Sequence, residues 1–160
     1  MLKPRLVSGI VAMVLLVPAS AAADITAFLG VATKPETRQV RGLALGMSIL
    51  VIGLELEYSD VTEDIDELAP GLRTGSLNAL LQTPVPVAGM QLYLTAGGGL
   101  YRERLGDSSE TNVAGNVGGG AKIRLAGPLR LRLDYRVFSL RGSPLNDTHQ
   151  RFYAGINLGF

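Results

Sequence analysis

Charged side chains recur at every second position in several stretches of this 160-residue chain. Glu55 and Glu57 alternate with Leu54, Leu56 and Tyr58. Arg130, Arg132, Asp134 and Arg136 alternate with Leu129, Leu131, Leu133, Tyr135 and Val137. Asn116, Lys122 and Arg124 oppose Val117, Ala121, Ile123 and Leu125. A two-residue period sorts these sets onto opposite faces of extended strands. Ions of both signs confined on one face must pair or stay hydrated, because an isolated buried ion costs several kcal/mol. The expected chemistry is therefore a salt-bridged network of Glu55, Glu57, Lys122, Arg124, Arg130, Arg132, Asp134 and Arg136, with Arg151 close by. Bases outnumber acids in that set, so some must face water or loops.

Residues suited to catalysis are scarce. The single histidine, His149, lies between Asp147-Thr148 and Gln150-Arg151, and its nearest serine, Ser143, sits in a Gly-Ser-Pro turn. At the end of a loop it reads as a solvated rim residue. The absence of Cys removes thiolate metal sites, Cys nucleophiles and disulfides together. Asp60 to Leu68 carries five carboxylates (Asp60, Glu63, Asp64, Asp66, Glu67) but lacks the glycine and terminal glutamate of a calcium loop. The glycines at 97–99 and 118–120 are followed by no Lys-Ser/Thr and no helical pattern, so they do not read as phosphate loops. They read as room for large neighbours such as Tyr93, Tyr101 and Arg124. No catalytic, cofactor or metal residue is assigned.

Fifteen basic residues against 14 acidic ones offer no electrostatic footprint for nucleic acid. An apolar fraction of 47% with 18% charged residues excludes a disordered chain. The first 23 residues have the form of a secretory signal: Lys3 and Arg5, an uncharged run from Val7 to Val17, then Ala-x-Ala sites ending at Ala21 or Ala23. The run is too short for a transmembrane helix. The expected organisation is a signal peptide over 1–23 and one domain over 24–160.

The elements that must position the charged faces are strands. Eight runs show the alternation: Ile25–Thr33, Gln39–Ile49, Val51–Ser59, Arg73–Gln82, Met90–Glu103, Asn112–Leu125, Leu129–Leu140 and Gln150–Phe160. Most approach the roughly 9–11 residues of a tilted membrane strand rather than the 5–6 of a soluble sheet. Connections after the even runs are short or apolar, as at Leu50, Thr83–Gly89 and Ala126–Pro128. Those after the odd runs are polar: Lys34–Arg38, Asp60–Leu72, Arg104–Thr111 and Arg141–His149. That alternation of turns and loops belongs to a closed up-and-down barrel in the outer membrane. Periodicity alone does not say which face is inside, since a soluble carrier barrel would turn the apolar side inward.

The end of the chain favours the membrane. Phe152, Ala154, Ile156, Leu158 and Phe160 occupy alternate positions up to the terminal carboxylate, like the insertion signal read by the barrel-assembly machinery. With the Gly-rich strands Leu43-Ala44-Leu45-Gly46-Met47, Gly53–Tyr58 and Leu94–Tyr101, the mature chain resembles the small eight-stranded outer-membrane β-barrels of the OmpA N-terminal-domain and OmpX/Ail-like group. That resemblance implies an all-β, eight-stranded antiparallel barrel, inserted as a monomer among outer-membrane lipid and lipopolysaccharide, with no cofactor and a structural or surface-interaction role. The chain stops at the barrel's own last strand, which leaves no basis for a cell-wall tether. Barrels of this size include lipid A-modifying enzymes with a His–Ser–carboxylate set, which the isolated His149 does not match. A small gated channel competes with the structural role, and the charged inner face argues against it. A soluble periplasmic carrier competes with the membrane location, and the terminal Phe160 argues against that. The basic residues Lys34, Arg38, Arg41, Arg102, Arg104, Arg141 and Arg151 suit lipid phosphates at a membrane boundary.

Overall fold

In a computed structural model, residues 21–33, 37–63, 66, 69–142 and 148–160 are described. Residues 1–20, Lys34, Asp64, Glu67 and Ser143 lie outside them, and so does most of the expected signal peptide. Eight strands follow one another: β1 (Ala21–Thr33), β2 (Arg38–Ile49), β3 (Ile52–Val61), β4 (Gly71–Gln82), β5 (Met90–Leu105), β6 (Ser108–Ala126), β7 (Leu129–Leu140) and β8 (Thr148–Gly159). Each pairs antiparallel with the next, and β8 returns to β1 to close the barrel. Closure leaves no unpaired strand edge, which an element crossing hydrocarbon requires.

The alternation places leucines outward and charges inward. Leu43, Met47, Leu56 and Leu94 are all more than half exposed, whereas Glu55, Glu57, Asp134 and Arg136 are at 1% or less. This is the reverse of a soluble carrier barrel, whose apolar residues line a pocket. Walking along hydrogen-bonded partners from Arg102 on β5 through β4, β3, β2, β1, β8, β7 and β6 returns to β5 at Leu92, ten residues nearer the short-turn end. The strands are thus tilted, and a row perpendicular to them climbs around the wall as a ramp.

Strand ends differ from the sequence expectation in a consistent way. β1 begins at Ala21, and Ala23 exchanges two backbone hydrogen bonds of 2.8 Å with Phe160. The Arg104–Thr111 segment, expected to be a polar loop, is instead a tight hairpin in which Leu105 pairs with Ser108 and Gly106 takes φ +58°. Polar residues such as Arg104 and Ser109 obscured it, because the ladder continues past the apolar band where side chains no longer need to alternate in hydrophobicity. At the other end Leu50, Ala88, Gly89 and Gly127 adopt positive φ in the short turns.

Candidate functional site in the lumen

Inward positions of β2 are small (Gly42, Ala44, Gly46, Ser48), and those of β5 and β6 include Gly97, Gly99, Gly118 and Gly120. The volume they release is taken up by long side chains from β3, β5, β7 and β8. Gly120 lies under Tyr93, whose hydroxyl would stand 2.5 Å from a Cβ placed there, and Gly118 lies under the Arg136 side chain at 2.8 Å. Tyr93 therefore occupies glycine-made space as the sequence suggested. Arg124 does not.

Three carboxylates and three guanidiniums meet at mid-height. Arg132 pairs with Glu55 through Nη1 and approaches Asp134 through Nη2 at 3.3 Å. Arg136 donates from Nη2 to Glu55 at 2.7 Å and from Nε to Asp134 at 2.9 Å, and its Nη1 stands 3.2 Å from Glu57 Oε2. Arg151 donates to Glu57 at 2.5 Å and to Ser59 Oγ at 2.9 Å. Tyr93 knits the cluster: its hydroxyl donates to Asp134 at 2.6 Å and accepts from Arg132 Nε at 2.8 Å. Nearer the short-turn end, Lys122 pairs with Asp24. Acids and bases in this network balance. Removing a partner from any buried pair would strand an uncompensated ion, at about 3–5 kcal/mol.

Above the ions the lumen is largely apolar, with Glu103 and His149 buried among the apolar side chains. Val40, Val61, Leu72, Phe138 and Leu140 project inward at the loop end, with Ala32, Ala114 and Tyr101, and all are buried. Phe28 stacks on Tyr153 with ring centroids 4.0 Å apart. The Arg151 guanidinium lies between the two layers, 4.7 Å from the Phe138 ring centroid and 5.3 Å from those of Phe28 and Tyr153. Such cation–π contacts favour a desolvated guanidinium. At the rim, Tyr101 Oη donates to the Arg141 carbonyl at 2.6 Å, and Arg38 bonds the carbonyls of Pro70 and Thr62 at the base of the acidic segment.

The eight residues expected in the network divide. Glu55, Glu57, Lys122, Arg132, Asp134 and Arg136 come together in the lumen. Arg124 is exposed at the short-turn mouth, as the last inward position of β6 before the bulge between Arg124 and Ala126. Arg130 is half-buried in the same mouth, over Gly159. Asp24 and Arg151 take their places, so the basic excess expected of the network disappears. Asp24 precedes the first alternating run, Ile25–Thr33, so periodicity gives no signal for it. His149, expected at a solvated rim, is instead buried inward on β8 opposite Phe138. The terminal set Phe152, Ala154, Ile156, Leu158 and Phe160 faces outward along β8, the strand that closes the barrel. Among the described residues, no three of His, Asp and Glu group as metal ligands.

No protein-family model matches the sequence, and no curated protein matches it either. Solved structures do. The N-terminal β-barrel domain of Pseudomonas aeruginosa OprF aligns with a TM-score of 0.66 at 18% identity, covering 87% of this chain and 97% of that one. Neisserial surface protein A (NspA) aligns with a TM-score of 0.68 at 16% identity, covering 88% and 97%. The outer membrane enzyme PagL aligns with a TM-score of 0.55 at 14% identity, covering 84% and 98%. At these identities the likeness is one of fold: an all-β, closed, eight-stranded antiparallel barrel of the outer-membrane type.

Proposed function

We propose that this chain is a non-catalytic, non-conducting barrel of the bacterial outer membrane, secreted with a cleaved leader, whose role is in envelope integrity, with its loops available for surface contact. The loop end faces outward and the short turns and both termini face the periplasm. The outward leucine belt is solvated by lipid and lipopolysaccharide, and the terminal strand is the segment handed to the barrel-assembly machinery. The barrel acts as a monomer.

The observation that carries this reading is the filled lumen: a charge-balanced ion network beneath a buried, largely apolar layer that also holds Glu103 and His149. A conducting path needs a continuous polar or water-filled route along its whole length, and buried side chains occupy the lumen at both levels. The matched folds include an enzyme, so fold alone does not decide catalysis. His149 points into the lumen, away from the acyl chains of the surrounding leaflet. Its placement supports a non-catalytic barrel. Single-channel recording of the protein in planar bilayers is the test. Wild type and Glu55→Ala are expected to show no discrete conductance steps, and steady unitary currents in wild type would overturn the reading.

A further inference from the structure

The outward ramp changes chemistry as it climbs. From β8 to β5 its residues are Ala154, Leu29, Arg41, Asp60, Arg73 and Arg102, each the cross-strand partner of the next. The lower half is apolar and the upper half charged. Asp60 accepts from Arg41 Nη2 at 3.3 Å and from Arg73 Nε at 2.9 Å, yet the two arginine side chains remain 71% and 66% exposed. Their outer donors face the surroundings. Arg102 and Arg104 complete a recess of about 300 Å³ that also holds Asp60 and Glu63. Glu63 is engaged by the Gly106 backbone N–H at 2.5 Å, and among the described residues neither Arg102 nor Arg104 has an ion pair. Among the described residues that line the recess, four guanidiniums stand against two carboxylates.

Directly below runs an apolar groove of about 760 Å³ on the outward wall. Small residues make its floor: Ala27 and Ala154 project outward, and Gly42 and Gly155 line it without side chains. Leu29, Leu43, Leu131 and Ile156 wall it. Arg41, Asp60 and Arg73 border both the groove and the recess, so the two are one continuous surface.

We propose that this surface binds one phosphorylated, acylated lipid of the outer leaflet, with a headgroup phosphate in the arginine recess and an acyl chain lying in the groove. Guanidinium forks match phosphate oxygens bidentately, and Asp60 orients two of the forks without neutralising the site. The groove is apolar and sits in the lipid-facing belt, which selects a lipid over a soluble phosphate. The proposal rests on the reading of the belt as embedded in the outer membrane with the loop end outward.

The test reconstitutes the full barrel into phosphatidylcholine nanodiscs doped with diphosphorylated lipid A, and measures lipid A retained per barrel by native mass spectrometry. Parallel samples carry dephosphorylated lipid A, or excess inorganic phosphate as competitor. Wild type is expected to retain one diphosphorylated lipid A, to retain the dephosphorylated form poorly, and to resist displacement by inorganic phosphate. Arg41→Gln with Arg73→Gln is expected to lower retention about tenfold, equivalent to about 1.4 kcal/mol. Ala154→Trp, which fills the groove and leaves the arginines, is expected to lower it as well. Unchanged retention in both variants overturns the proposal. Displacement by inorganic phosphate with no effect of Ala154→Trp overturns the lipid assignment in favour of a free-phosphate site. Each sample is also run boiled and unboiled on a denaturing gel. A wild type lacking the mobility shift defeats the membrane reading itself, which separates that failure from failure of the site. If the arginine double variant lacks the shift, Arg102→Gln replaces it.

Discussion

Arg132 and Arg136 illustrate what single residues do in this barrel. Both are fully buried, and each holds two or more carboxylates at once. Replacing Arg132 with Met leaves Tyr93 without its donor and leaves Glu55 and Asp134 to share Arg136. A loss of about 3–5 kcal/mol is expected, read as a lower urea midpoint for loss of the fast-migrating folded band. Arg132→Lys, which keeps the charge and loses the fork, is expected to fall between Met and wild type. His149 makes the opposite prediction. Because it faces Phe138 inside the lumen, His149→Ala is expected to leave the acylation pattern of lipid A from the host envelope unchanged by mass spectrometry. A changed pattern would make the barrel an enzyme. That the charges would pair was legible strand by strand, since Glu55 and Glu57 on β3 and Arg132, Asp134 and Arg136 on β7 each lie opposite the apolar residues of their own strand. Their partners were not, because Glu55 lies 77 positions from Arg132 and 81 from Arg136.

At the scale of elements, the outward and inward parities of one strand carry opposite rules. On β3, Leu56 is 58% exposed and Glu55 and Glu57 are at 1%. Leu56→Arg, near the middle of the belt, is expected to cost about 2–4 kcal/mol in a bilayer, again as a shift of the urea midpoint. The same substitution is expected to cost almost nothing if the belt faces water. That contrast reports directly on whether the belt faces lipid. Periodicity located all eight strands and left only their ends to the structure. β3 and β4 run on to Val61 and Gly71, and β5 and β6 on to Leu105 and Ser108, beyond the point where the apolar signal fades. Those extra residues matter, because Val61 and Leu72 belong to the buried layer at the loop end.

For the whole molecule, the chain's own sequence determined the class of architecture. Eight amphipathic runs of membrane-strand length, alternating turns and loops, and the apolar terminal strand are local features, and local periodicity survives without knowledge of neighbours. The tertiary structure decided three things that depend on how the strands meet in the closed ring. It turned the leucines outward, a choice that a period of two leaves open. It put Asp24 and Arg151 into the network in place of Arg124 and Arg130, balancing its charge. It also gathered Val40, Val61, Leu72 and Leu140 into one apolar layer, and Arg41, Asp60, Arg73 and Arg102 into one outward row. Closing a tilted sheet with a ten-residue stagger sets which residues share a height around the barrel. That stagger is a property of the closed ring and of no single strand.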